Sequence, residues 1–381
     1  MIECQRHLFD LPDDLTYLNC AYLAPKLKSV IQAGTAGLQL ESRPWEIVAE
    51  HFFADSERVR DLFAQLISAD PDDIALIPAA SYGIATAAAN IDVKPGQNIV
   101  VLAEQYPSNY YAWDAVSHRS GARIVTVDRP PDGNWTPGVL AGIDKETAVV
   151  AVPNVHYTDG SLLTLPAVRD RCRDLSVALV LDLSQSLGVM PFSVRDIEPD
   201  FCITAGYKWL LGPYNIGFMY VSPTRQDGQP IEYNWLNRKN SEDFAGLVDY
   251  QGAYQRGARR FDVGERAKFM QMPMAAAALE QILDWGVSDI ASSLAGLTSQ
   301  AAELAGDSGL AVLPQDFRAP HILGLRFTHG VPPGLVEELR AEKVFVSLRG
   351  DSMRIAPHLC NDSRDIERLF DVLTRRGRNP T

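Results

Sequence analysis

The chain has 381 residues, 46% of them hydrophobic, which is ample for a packed interior and long enough to suggest two domains. A formal net charge of −13 argues against a nucleic-acid surface, and no apolar run approaches the ~20 residues needed to cross a bilayer. Cys4, Cys20, Cys172, Cys202 and Cys360 are odd in number and lack a C-x-x-C pair, and the N-terminus has no basic or apolar signal region. This pattern excludes a disulfide framework or zinc cluster and points to a reducing cytoplasm.

Residues 1–25 read as an irregular arm that carries the run from Tyr17 to Leu27, YLNCAYLAPKL. From Ser42 to Ile67, Trp45, Val48, Phe52, Val59, Phe63 and Leu66 recur at helical spacing and predict one helix covering the core. A short apolar strand then ends at Pro78, followed by the small residues Ala80 and Ser81 at the start of an Ala-rich helix. Free N–H groups and the helix dipole at such a start favour an anion. Further strands are predicted at Asn98–Glu104, Ala122–Asp128 and Thr147–Asn154. Tyr106, just past the first of these, is placed to lie face-on to a planar ring; Tyr110, Tyr111 and Trp113 read as helix packing. His156, just past the third, reads as structural.

Three apolar runs, Ala178–Leu183, Phe201–Ala205 and Gly217–Val221, read as buried strands of an α/β sheet. Asp182, Gln185 and Lys208 stand where the first two runs stop, the rim at which open α/β sheets bind ligands. An acid, an amide and a lysine there suit pyridoxal phosphate (PLP), whose aldehyde condenses with a lysine amine and whose ring nitrogen needs a carboxylate to stay protonated. The segment from Ile231 to Gln255 is polar and aromatic, and Arg260-Phe261-Asp262-x-Gly264-Glu265-Arg266 precedes a second Ala-rich helix. Beyond Ser288, strands at Ile322–Phe327, Val344–Ser347 and Ser352–Ile355 mix with helices at Leu335–Glu342 and Ser363–Arg375.

Asp182-x-x-Gln185, Tyr207-Lys208-Trp209-Leu210-x-Gly212-Pro213-x-x-x-Gly217 and Ser352-Met353-Arg354-Ile355-x-Pro357-His358 together resemble the class V aminotransferase superfamily of PLP-dependent enzymes. Cysteine desulfurases, kynureninase and isopenicillin N epimerase-like proteins belong to it. The resemblance implies the α/β PLP-dependent transferase fold type I. Its parts would be an arm (1–25), a large domain with a mostly parallel seven-stranded sheet (26–257), and an interface helix with a small α+β C-terminal domain (258–381). It further implies a homodimer with the active site at the interface, and an amino acid as substrate.

The resemblance also assigns roles. Lys208 would form the Schiff base and move the substrate's α-proton, and Asp182 would pair with the ring nitrogen. Gln185 would donate to the phenolate oxygen, Tyr106 would stack on the ring, and Ala80, Ser81, Tyr82 and Tyr207 would hold the phosphate. Arg354 would clamp the substrate carboxylate, with Asn19 and Tyr157 as further substrate contacts. Two departures bear on the reaction. Desulfurases commonly carry Ser-x-His before the lysine, where this chain has Ala205-Gly206-Tyr207. They also carry a nucleophilic cysteine between the last strands, where Ser347 to Arg354 contains none and Cys360 lies beyond. Persulfide chemistry is therefore not expected. Aminotransferase ranks first, a kynureninase-like or cysteine-lyase-like C–C or C–S lyase second, and an amino-acid epimerase third. Joint retention of Asp182, Gln185, Lys208 and Arg354 argues against a non-catalytic binding module, and no G-x-G-x-x-G or P-loop supports a dinucleotide or nucleotide enzyme. No metal is expected.

Overall fold

The computed structural model describes residues 1–327 and 330–378. Seven strands form the central sheet: β1 (Ile74–Ile77), β2 (Asn98–Leu102), β3 (Arg123–Val127), β4 (Thr147–Pro153), β5 (Ala178–Asp182), β6 (Phe201–Ala205) and β7 (Gly217–Val221). Their order is β1-β7-β6-β5-β4-β2-β3. Only β7 runs antiparallel to its neighbours, β1 and β6; the remaining pairs are parallel. This is the mostly parallel seven-stranded sheet that the family resemblance implied. Its central strands are buried along their whole length because helices cover both faces, which is why they read as continuous apolar runs rather than alternating ones.

Of the helices, α1 (Lys28–Glu41) and α2 (Ala54–Leu66) both pack on α6 (Gln271–Trp285), while α3 (Ala80–Asn90) packs on α4 (Pro107–Ser120). Between α4 and α6 in sequence lies α5 (Leu165–Leu175), and α7 (Val287–Asp307) leads into the C-terminal part. There β8 (Leu323–Arg326), β9 (Ser347–Arg349) and β10 (Ser352–Ile355) make an antiparallel sheet in the order β9-β10-β8, covered by α7 and α8 (Ser363–Arg378).

The single helix expected from Ser42 to Ile67 is not what forms. Pro44 disfavours helical backbone at Arg43, which sits at φ −123°, ψ 67°, and Val48 is extended. Two short 3₁₀ turns, Pro44–Glu46 and Ala49–Phe52, therefore precede α2. Trp45 and Val48, which the spacing placed on the buried face, are 77% and 56% exposed. The strand expected over Val344–Ser347 also divides: Val344–Phe345 pairs in parallel with Thr16–Tyr17 of the arm, and Ser347 opens β9.

The stretch after residue 256 is fastened to the sheet edge by a buried charge cluster. The Asp262 carboxylate accepts from Arg60, from Arg266 and from the Leu76 backbone N–H at 2.7 Å, while Val263 N–H donates to the Leu76 carbonyl at 2.9 Å. Arg266 is therefore a structural partner of Asp262, with its guanidinium fully buried.

Candidate active site

The parallel strands bring their carboxyl ends to one rim. Pro153 ends β4, Asp182 ends β5 in register with it, and Ala205 ends β6. These three residues, with Ala80, Tyr106, Tyr157, Ser184, Gln185, Tyr207 and Lys208, line a small cavity of ≈30 Å³. It adjoins a larger one of ≈200 Å³ that shares Tyr106, Tyr157, Gln185, Tyr207 and Lys208 and adds Arg354 together with arm residues such as Tyr22.

Lys208 is buried, and among the described residues its ammonium has no ion pair or hydrogen bond. Instead it sits 5.3 Å from the centre of the Tyr106 ring and 5.9 Å from that of Tyr207. Burial pulls its pKa down from 10.5 to about 8; the charge of Asp182 resists this, and those of Arg354 and Arg349 add to it. Asp182 Oδ1 accepts from the Ser184 N–H at 3.0 Å.

Gln185 is held from three sides. Trp209 Nε1 donates to its Oε1 at 2.9 Å, and its own Nε2 donates to the Ala21 carbonyl at 3.1 Å. His321, kept neutral by burial with its pKa near 4, bonds the Gln185 carbonyl through Nε2. One N–H of the Gln185 amide is left for the cavity. Gly188 lets this turn pass under Trp209: its φ is +96°, and a Cβ there would lie 2.5 Å from the Trp209 carbonyl oxygen.

Arg354 is buried on β10. Its Nη1 donates to the Tyr157 carbonyl, while Nε and Nη2 are buried without a partner in the described structure. Burial, and then the charge of Arg349, pulls its pKa down to about 9. The loop bearing Tyr157 is braced from below. Asp159 accepts from Arg129 at 2.6 Å and from Arg326 at 3.0 Å, and Trp135 stacks on His156. His156 is buried, is kept neutral with a pKa near 4, and does not line the cavities. Tyr157 in turn meets Tyr106 edge-on at 5.5 Å.

The structure thus brings Ala80, Tyr106, Tyr157, Asp182, Gln185, Tyr207, Lys208 and Arg354 together. It does not bring in three other residues. Ser81 is exposed and lines neither cavity, and Tyr82 is turned toward Glu232. Asn19 pairs through its backbone with Ala356 and lines neither cavity, its Oδ1 being buried without a partner in the described structure, while Ala21, Tyr22 and Leu23 line the larger cavity. Sequence reasoning passed over Tyr22, Tyr214 and Arg349. The first two sit in loops without periodicity, whereas Arg349 was accessible from its spacing to Arg354 across a two-residue turn.

The residues present fit PLP. A buried lysine has its charge unpaired, and a carboxylate ends the neighbouring strand. The first turn of α3, at Ala80, has N–H groups with no intrahelical acceptor. No cysteine lines either cavity, and among the described residues no group of His, Cys, Asp and Glu is placed to hold a metal ion.

The family model for aminotransferase class V matches residues 17–351. An uncharacterized aminotransferase of Bacillus subtilis, YcbU, is 27% identical over 97% of each chain. The isopenicillin N epimerase of Streptomyces clavuligerus is 22% identical, covering 88% of this chain and 87% of the other. Among solved structures, the cystine C–S lyase C-DES, in complex with its product cysteine persulfide, superposes with a TM-score of 0.87 at 17% identity, over 95% of this chain and 97% of that one; at this identity the likeness speaks for the fold. With the lysine rim, the seven-stranded sheet and a family match over most of its length, the chain belongs to the aminotransferase class V family of PLP-dependent enzymes.

Proposed function

We propose that this protein is an aminotransferase that moves an amino group from an amino acid, with Lys208 as its catalytic amine. The observation that carries the reading is the pairing, in one cavity, of a buried lysine with no counter-ion and a buried arginine with two free nitrogens. PLP, when bound, supplies an electron sink for the pair of electrons left on the substrate when a bond to Cα breaks. The chain's own groups do the rest. With a pKa near 8 rather than 10.5, Lys208 carries a minor but accessible neutral fraction at physiological pH, whose lone pair would condense with the cofactor's aldehyde and take and return the Cα proton. Asp182 would supply the charge that keeps a ring nitrogen protonated, and the amide of Gln185 would donate to a phenolate oxygen. The first turn of α3 at Ala80 would hold the phosphate, and Tyr106 would lie against the ring. Arg354 offers Nε and Nη2 to the substrate carboxylate, a two-point grip that fixes the orientation of Cα.

A lyase reading is supported by the likeness to C-DES, and an epimerase reading by the S. clavuligerus relative. Transamination is preferred because it asks only for the one base that the cavity holds. The exposed aromatic surface from Tyr233 to Tyr250, which includes Trp235 and Phe244, supports a homodimer that covers it with a second copy. Five free cysteines suit a reducing compartment such as the cytoplasm.

The test is the visible spectrum of the PLP-loaded protein during addition of single amino acids without any oxo acid. Conversion of the lysine-linked band to the pyridoxamine form, reversed by a 2-oxo acid and absent in Lys208→Ala, is the expected result. Release of ammonia, sulfide or the opposite enantiomer with the band retained would replace the transferase reading with a lyase or epimerase.

A further inference from the structure

The larger cavity holds a cation that the reading above leaves without a task. Ser347 and Arg354 are directly opposed across the antiparallel β9–β10 pair. Arg349, two positions beyond Ser347, returns to the same face of the sheet. Diagonal neighbours of this kind lie ~7–8 Å apart, within reach of long side chains. Both arginines line the cavity that also contains Lys208.

Three cationic side chains thus surround one space of ≈200 Å³, and no aspartate or glutamate lines it. Asp182 lines the smaller adjoining cavity instead. Among the described residues Arg349 makes no ion pair; its Nη1 donates only to the Leu348 carbonyl at 2.7 Å. Like charges on one face of a sheet repel, and Arg349 works against the protonated forms of both Arg354 and Lys208. A substrate with one carboxylate would neutralise Arg354 and leave Arg349 in the same cavity without a counter-charge. The remaining walls are mainly phenolic, with Tyr22, Tyr106, Tyr157, Tyr207 and Tyr214, and the volume is small beside the roughly 300–1,000 Å³ of drug-sized sites. That space suits a short, polar side chain rather than a large apolar one.

Resting on the roles given above to Lys208 and Arg354, we propose that the substrate is an amino acid whose side chain ends in a second carboxylate, with Arg354 holding the α-carboxylate and Arg349 the distal one. Arg349 is then the residue that sets specificity.

The experiment uses the PLP-loaded protein. Calorimetric titration with glutarate and with butyrate, neither of which carries an amine to react, compares two carboxylates with one. Spectral titration with L-glutamate, L-aspartate and their amides L-glutamine and L-asparagine compares the charged and neutral side chains directly. A charge-assisted hydrogen bond of about 1.5–3 kcal/mol predicts at least about a tenfold preference for the diacid and for the acidic amino acids. Arg349→Met should reduce both preferences to under about threefold, and Arg349→Lys should restore part of each. Retention of the lysine-linked band in both variants certifies the site. Equal affinity for acids and amides, or an unchanged preference in Arg349→Met, overturns the proposal. If neutral amino acids nonetheless alter the spectrum, the roles of Lys208 and Arg354 survive that failure; if no amino acid alters it, both readings fall together.

Discussion

The charge on Lys208 is a burden on the fold until a ligand engages it, and Lys208→Met in the PLP-free protein measures that burden. The pKa of Lys208 lies near 8 in the folded protein against an ordinary 10.5, and burial is the main cause. Between those values the unfolded chain holds a proton that the folded chain does not, so stability rises with pH across that window. The cost of charging is fully present below about pH 8 and is gone above 10.5. Its size, at 1.36 kcal/mol per pKa unit, is roughly 3 kcal/mol. Methionine keeps most of the aliphatic stem and removes the charge. The variant should therefore be more stable than the parent by about 2–3 kcal/mol at pH 7, a gap that closes to under about 1 kcal/mol by pH 10. Urea unfolding of the two PLP-free proteins at pH 7, 8.5 and 10 gives the comparison. A methionine variant no more stable at pH 7, or a gap that ignores pH, refutes the claim that Lys208 is buried without an adequate counter-ion.

Asp182→Asn removes the charge that resists the fall in the Lys208 pKa, which should drop further below 8; the pH dependence of amine labelling reports it. Arg354→Lys keeps a cation but loses the fork, and should raise KM for the amino acid about tenfold or more with a smaller change in kcat, read from steady-state kinetics. Trp209→Phe strands the buried Gln185 Oε1 and should lower the unfolding free energy by about 1–3 kcal/mol. Asp262→Asn leaves the buried Arg60 and Arg266 guanidinium groups with the partly exposed Glu57 as their remaining acid and should cost about 3 kcal/mol in the same assay.

The sheet was legible because its strands are short apolar runs stopped by polar residues, and the three polar residues of the central stretch marked the rim correctly. The helix boundaries before α2 were not, because apolar spacing continues through Trp45 and Val48 although Pro44 and the extended backbone at Val48 break the helix. The rim contacts from loops were harder still. Ser81 and Tyr82 were chosen by position along the chain, yet the first turn of a helix points successive side chains in different directions. Only Ala80, the first residue of α3, faces the cavity. Asn19 lies outside the cavity lining for a related reason: its backbone pairs with Ala356, and pairing partners more than 300 residues away leave no local signal.

The arm is laced to distant parts of the chain. Thr16–Tyr17 pairs with Val344–Phe345, Cys20 N–H donates to the Ala356 carbonyl, Ala24 N–H to that of Tyr207, and the Ala21 carbonyl receives Gln185. Contacts of such high sequence separation form late and slow a chain's folding. During synthesis the central sheet, Gln185 and Tyr207 emerge well before Val344, so the arm's pairings with Val344–Phe345 and Ala356 are the last of its contacts to become available. A nascent chain thus carries the reactive lysine before the arm is fully fastened, and the segment from Val344 to Ala356 decides when the arm can settle over the site.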